Sequence, residues 1–208
     1  MAREVGISNI TLFPLTADDA GSSPTYGTGF KVPWAVNFET ESEYAEGQYH
    51  GDNIVETFRR MISKMGITME VSSNTPPALD AKITGKGYKN GKSFVEVGQT
   101  SPYYAIAYEI LMDDGNIRRR VIYKVALTRN SQTNSTQEDS LEGQTYTYEG
   151  TAIPLTSTGH LEMIMDKKEI AALSDPDKTL AQNHFDKFFN QPILPNLTTQ
   201  ITRIDNKM

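Results

Sequence analysis

Residues 103–128, YYAIAYEILMDDGNIRRRVIYKVALT, decide the fold class. Two runs alternate with the period of a strand, and they flank Asp114-Gly115, a pair suited to a two-residue type I′ turn. A turn centred there predicts Met112 opposite Ile117, Ile110 opposite Arg119, Tyr108 opposite Val121, Ile106 opposite Tyr123 and Tyr104 opposite Val125. One face is then nearly all apolar. The other sets Leu111 against Arg118, Glu109 against Arg120, Ala107 against Ile122 and Ala105 against Lys124. A slip of one residue would turn every side chain over, so agreement between turn chemistry and periodicity is evidence for an antiparallel hairpin in a mainly β chain.

The same grammar extends in both directions. Residues 4–13 (EVGISNITLF) predict a strand, followed by a loop rich in Asp, Gly, Ser and Pro to Gly29. Val32, Trp34, Val36 and Phe38 then alternate with Lys31, Ala35, Asn37 and Glu39, a half-buried strand with Pro33 at an edge or start. On this reading Trp34 faces the core, where burial would remove ~150–250 Å² from water. Ile67, Met69 and Val71 form a further strand. Residues 75–84 predict a short helix with Thr75 as N-cap and Gly85 past its end, and Asn90-Gly91 a tight turn before Phe94. Residues 129–142 predict a mobile polar loop, residues 144–154 and 160–165 two more strands. After that the pattern changes. Ser174-Asp-Pro-Asp opens a helix with Leu180, His184, Phe185 and Phe188 at helical spacing, and residues 191–208 are a polar tail. The division expected is a β domain over 1–165 and a C-terminal helix and tail over 166–208.

With 208 residues, 38% hydrophobic and 22% charged, the chain can bury a core without staples. It has no cysteine, so thiolate chemistry and disulfides are excluded. The opening Met1-Ala2-Arg3-Glu4 predicts no secretory leader, and no apolar run of membrane-spanning length occurs. The net charge of −6 disfavours sequence-specific binding to duplex DNA.

Catalytic and ligand motifs find little support. Gly91-Lys92-Ser93 ends like a phosphate loop, but the glycine required five positions before Gly91 is replaced by Lys86. His50, His160 and His184 lack zinc spacing. Asp113-Asp114-Gly115-Asn116 lacks the alternating ligands of a calcium loop and is explained by its turn. No Gly-x-Ser-x-Gly elbow occurs. Arg118-Arg119-Arg120 alternates across a strand, so it reads as cross-strand pairing, Glu109 with Arg120, rather than a phosphate grip. Asn196-Leu-Thr matches a glycosylation sequon without a visible secretion route. No enzyme activity, cofactor or metal is expected.

The order of several segments narrows the reading. EVGISNITLF, then Pro33-Trp34-Ala35-Val36, an acidic stretch reaching Tyr44-Ala45-Glu46-Gly47, ITMEVSS before the short helix, Ser101-Pro102-Tyr103-Tyr104-Ala105-Ile106-Ala107-Tyr108-Glu109, the Asp-Gly hairpin, Tyr123-Lys124 and Glu149-Gly150-Thr151-Ala152-Ile153-Pro154 together resemble the major tail tube proteins of long-tailed (siphovirus-type) bacteriophages. The resemblance covers roughly residues 4–165 and leaves 166–208 outside. It implies a β-sandwich or barrel-like tail tube fold with a flanking helix. Subunits would form hexameric rings, stacked into a hollow tube that conducts DNA without binding it specifically. Implied partners are further copies of the chain and the tape measure, tail terminator and distal tail proteins, with no membrane. The implied location is the virion tail, assembled in the host cytoplasm. A capsid decoration protein or pilus-like subunit shares this composition. A carbohydrate-binding module or glycosidase would instead use exposed Tyr and Trp beside carboxylates.

Two residue groups are candidates for function. Glu39, Glu41, Glu43, Glu46, Asp52 and Glu56 carry negative charge, and no Lys or Arg lies between Lys31 and Arg59. With Tyr44 and Tyr49 they read as an extended loop that reaches the next ring and helps define the lumen. Leu180, Phe185 and Phe188 form the apolar side of the C-terminal helix, packing on its own sandwich or at a subunit interface.

Overall fold

The computed structural model describes residues 2–51, 54–129 and 144–195. The fold is mainly β. In chain order the elements are β1 (Glu4–Ala17), β2 (Thr25–Tyr26), β3 (Phe30–Lys31), β4 (Ala35–Gly51), β5 (Ile54–Ser72), α1 (Pro77–Thr84), β6 (Gly87–Lys89) and β7 (Lys92–Phe94). They continue with β8 (Tyr103–Met112), β9 (Ile117–Thr128), β10 (Thr145–Ala152), β11 (Glu162–Asp166), α2 (Lys167–Ala171) and α3 (Asp177–Asp186). One antiparallel sheet runs β2-β1-β8-β9-β10-β5-β4, with β3 added to β1 and β11 to β9; β6 and β7 form a separate hairpin.

The sheet closes on itself in the manner of a sandwich. β9 changes partner along one edge: Ile122 and the residues before it pair with β11, whereas Val125–Thr128 pair with β10. The far strands then fold back, so that the Phe38 ring of β4 meets Tyr108 of β8 at 4.6 Å between centroids. Between them lies the main core: Ile10 and Leu12 of β1, Met65, Ile67, Met69 and Val71 of β5, Tyr104, Ile106, Tyr108 and Ile110 of β8, and Tyr148 of β10. A second core on the other side of β8 and β9 joins Phe13, Ala105, Ala107, Val121, Tyr123 and Leu155 to Phe188 and Ile193 of the C-terminal segment.

The central hairpin forms, with a different turn and register. Asp114 keeps a negative φ and only Gly115 is left-handed, at φ 77°. Gly115 N–H donates to Met112 O, and Met112 N–H to Asn116 O, which makes a longer turn with a glycine bulge in place of type I′. The strands therefore pair Leu111 with Ile117, Glu109 with Arg119, Ala107 with Val121 and Ile106 with Ile122. A bulge between Tyr104 and Ile106 restores the expected pairing of Tyr104 with Val125. Over the turn half, Val121 and Tyr123 thus face the second core and Ile122 the first. Cores lie on both faces of β9 at Val121–Tyr123, so the slip leaves these three residues buried. The ion pair is Glu109 with Arg119 at 2.7 Å, not with Arg120, which bonds Glu162 at 2.6 Å.

Three other expectations change. Trp34 is 50% exposed with φ 61°, and Val36 is exposed too. The chain bends at Trp34, whose carbonyl accepts from Ser72 N–H, so Val32 is buried while Ala35 and Phe38 pack on the main core beyond the bend. Thr75 does not cap α1: its hydroxyl donates to Ser72 O, Pro76 occupies the N-cap, and Gly85 ends the helix at φ 74° as its position predicts. Residues 39–51 are strand rather than loop. The polar loop expected over 129–142 lies outside the described residues from 130 onward, as do Asn196 and the end of the tail.

Candidate functional site

β4 and β5 are far longer than the rest of their sheet. β10 covers β5 only from Met65, opposite Ala152, to Ser72. Beyond Met65 the β4–β5 ladder continues alone: Glu43 faces Lys64, Tyr44 faces Ile62, Ala45 faces Met61, Glu46 faces Arg60, and the backbone pairing runs on to Gly51 and Ile54. The result is a two-stranded arm projecting from the sandwich. At ~3.3 Å per residue its paired length approaches 30 Å.

The described side chains of the arm, at 43–47 and 59–64, are exposed on both faces. Met61 is 65% exposed, Ile62 49% and Tyr44 44%. Cross-strand ion pairs stitch it, Lys64 Nζ to Glu43 at 3.0 Å and Arg60 Nε to Glu46 at 3.3 Å, with the Arg60 guanidinium 4.0 Å above the Tyr44 ring. These side chains are about half exposed, so each pair contributes ~0–1 kcal/mol. A two-stranded hairpin is marginal in water without further cover.

Below the arm, the face of β4 turned away from the core is acidic. Glu39 and Glu41 lie across from Thr68 and Gly66 of β5, and Glu149 of β10 lies across from the same Thr68. Glu70 pairs in register with Asn37 on one side and Thr147 on the other. Glu39, Glu41, Gly66, Thr68 and Glu149 line one shallow depression. Sequence order alone placed Glu39, Glu41 and Glu43 in the candidate group but missed Glu70 and Glu149. Those two join through sheet pairing across a wide sequence separation, and no local signal marks them.

The remaining candidates distribute as follows. Tyr44 and Glu46 stand on the arm. Tyr49 takes its place in the ladder opposite Thr57, but its side chain, that of Glu56 and all of Asp52 lie outside the described residues. Phe185 and Phe188 are buried within the chain, at 3% and 1% exposure, while Leu180 is 45% exposed. Phe188 follows α3 rather than belonging to it. Arg119 ties this segment down: its guanidinium donates to the Phe185 carbonyl, stacks 4.1 Å from the Phe185 ring and pairs with Glu109.

Other polar clusters are committed to partners inside the fold. Asp166 accepts from Arg118 Nε at 2.7 Å, Asn116 Nδ2 at 2.8 Å and Lys168 N–H at 2.9 Å. Burial pushes its carboxyl up, but these donors outweigh burial and bring it down to about 2. Asp18 is held well below the usual carboxylate range in the same way: Lys124 and the Thr156 and Ser157 N–H groups overcome burial. A cleft of about 500 Å³ between β1 and β4 is lined by Glu4, Ile7, Phe38, Tyr108, Arg118 and Asp166, its charges paired with one another. Among the described residues no three His, Asp or Glu converge as a metal set.

No protein-family model matches the sequence, and no curated protein matches it. Among solved structures the chain is similar to one in the cryo-EM structure of the anti-feeding prophage (AFP) baseplate, 6-fold symmetrised, at 9% identity and a TM-score of 0.39. The match covers 79% of this chain and 97% of the other. A likeness that distant carries no weight for function.

Proposed function

We propose that this protein is a structural subunit of a phage-type tail, which self-assembles into stacked rings forming the hollow tail tube that delivers DNA. The observation that carries the reading is the free-standing β4–β5 arm, exposed on both faces and bearing Tyr44, Met61 and Ile62. An arm of this kind gains cover only from another molecule, and the ordered resemblance of residues 4–165 to tail tube proteins names that molecule as a further copy. The acidic face of Glu39, Glu41, Glu70 and Glu149 suits a lumen wall. Duplex DNA carries about one negative charge per 1.7 Å, and a wall of like charge within a Debye length of ~10 Å keeps it from sticking. On this reading the protein is not an enzyme, its rings are six-fold by resemblance, and its other partners are the tape measure, terminator and distal tail proteins of the virion.

Negative-stain microscopy of the purified chain tests it. Rings or tubes with an axial hole are expected. Deleting residues 44–51 should leave a folded subunit able to form single rings but not long tubes. A chain that stays monomeric at every concentration, or normal tubes from the deletion, would overturn the reading. A decoration protein, by contrast, would bind capsids and form no tubes.

A further inference from the structure

The β6–β7 hairpin has features that nothing within its own chain uses. Asn90 and Gly91, both left-handed at φ 50° and 77°, close a tight turn that sets Lys89 directly opposite Lys92. Like charges in that position repel and destabilise a hairpin. Both lysines are exposed, and among the described residues neither forms an ion pair, whereas nearby Lys86 is matched by Asp80 at 3.3 Å. Beside them stand Tyr88, Phe94, Val95 and Val97, exposed by 47%, 44%, 70% and 108%. Phe94 shares the hairpin face of Lys89 and Lys92, whereas Tyr88 points to the other face, so the exposed apolar ring and the two unpaired lysines stand together. The mount is fixed: the Phe94 ring lies on Gly87, and Gln99 donates to the Gly85 carbonyl.

The arm supplies the complement. Its two strands differ in charge. From Glu39 to Gly47, β4 carries Glu39, Glu41, Glu43 and Glu46 and no cation, while the adjoining stretch of β5 carries Arg59, Arg60 and Lys64. A basic, apolar hairpin therefore fits the β4 edge and is repelled from the β5 edge. The two surfaces cannot meet inside one molecule. β5 runs from the arm to the α1 end of the sandwich, and Met61 stands 11 residues before Ser72, a separation of about 36 Å along the strand.

We propose that the β6–β7 hairpin of one copy seats on the acidic β4 edge of the arm of a second copy, placing Lys89 and Lys92 beside Glu43 and Glu46 and covering Tyr44 and Ile62, which share one face of the arm, with Phe94, which shares the lysines' face of the hairpin. The inference rests on the self-assembly proposed above and identifies the surface that receives the arm. Two different patches of one chain meeting in this way make a heterologous contact, which propagates from copy to copy instead of stopping at a dimer.

Charge reversal tests it in the full-length protein, with assembly followed by sedimentation and microscopy. K89E/K92E should raise the concentration needed for assembly by about ten-fold or more, and E43K/E46K/R60E/K64E, which reverses the β4 edge while keeping the arm's own cross-strand pairs, should do the same. Combining both sets of changes in one chain should restore assembly toward the wild-type level. Since the chain has no cysteine, F94C and I62C variants mixed under oxidising conditions should yield a disulfide-linked dimer, which keeps the question open to test if a reversed chain fails to fold. Undiminished assembly of K89E/K92E, or a defect that the arm reversal does not repair, or no crosslink in an assembling mixture, would overturn the proposal while leaving self-assembly standing. A wild-type chain that never assembles would remove both.

Discussion

Replacing Phe188 with alanine should unfold the subunit far more readily than replacing Leu180, although both were candidates for the same apolar surface. Phe188 is 1% exposed and sits in the second core with Phe13, Val121, Tyr123, Leu155 and Ile193, while Leu180 is 45% exposed. Removing a buried phenylalanine side chain forfeits its transfer free energy and leaves a cavity, together about 3–5 kcal/mol. In a domain of this size that corresponds to a fall in Tm of about 10 °C. Leu180→Ala should stay within ~0.5 kcal/mol of wild type, as surface changes do. Urea unfolding of the isolated subunit, followed by tryptophan fluorescence and circular dichroism, provides the measurement. The slope against urea should be unchanged and the midpoint lowered only for Phe188→Ala. If Phe188→Ala keeps the wild-type midpoint, the C-terminal segment is not part of the subunit's own core, and the placement of Phe188 against Tyr123 is wrong.

Tyr108→Ala and Val121→Ala should cost about 3–5 and 1–3 kcal/mol by cavity formation in the two cores, and Thr128→Ala at the exposed end of β9 much less; equal urea midpoints for the three would contradict the assignment. Asp166 has a folded pKa of about 2, below its unfolded value, so its contribution is present above about pH 4 and lost as pH falls toward 2. Asp166→Asn should therefore destabilise at pH 7 by about 2 kcal/mol and leave a shallower loss of stability between pH 4 and 2 than wild type shows; parallel pH curves for the two would count against the role. Glu39→Lys with Glu41→Lys should give the subunit a measurable, salt-sensitive retention of duplex DNA in a gel-shift assay where wild type gives none, and identical mobility of DNA with both proteins would argue against the acidic face as a repelling wall.

How far the sequence discloses this molecule depends on whether burial is one-sided. On β8 the even positions Tyr104 to Met112 all enter the main core as alternation predicts, and Ile67, Met69 and Val71 do likewise on β5. β9 carries apolar residues in both phases, Val121 and Tyr123 as well as Ile122, because cores lie on both of its faces. Alternation then cannot choose the register, and a turn preference at Asp114 was left to decide it. Asn90-Gly91 fulfils the same turn rule, since no competing burial pulls on that short exposed hairpin. Trp34 misleads for a related reason: size suggests burial, but the bend that lets Ala35 and Phe38 reach the core turns it outward. The arm was legible as an acidic, aromatic segment and not as a strand pair. With both faces in water it has no alternation to read, and Gly47 and Gly51 look like loop punctuation.

The proposed role of the arm as a connector draws on the way it is rooted in the sandwich. β5 is continuous from the arm into the sandwich, with Met65, Ile67, Met69 and Val71 fully buried and β10 bonded alongside them. A bulge at Ser63, where the pairing passes from Glu43–Lys64 to Tyr44–Ile62, marks the root, but both strands run on through it without a loop; Gly66 lies within the ladder, opposite Glu41 and Thr151. The direction of the arm is thereby set by the core, which would reduce the entropy lost if the proposed second copy covers it. Its ion pairs hold the two strands in register at small energetic gain, and their half-exposed charges stay within reach of a partner. Rigidity at the root, marginal stability beyond it and opposite charge on the two edges together favour an element that is directed before contact and completed by it.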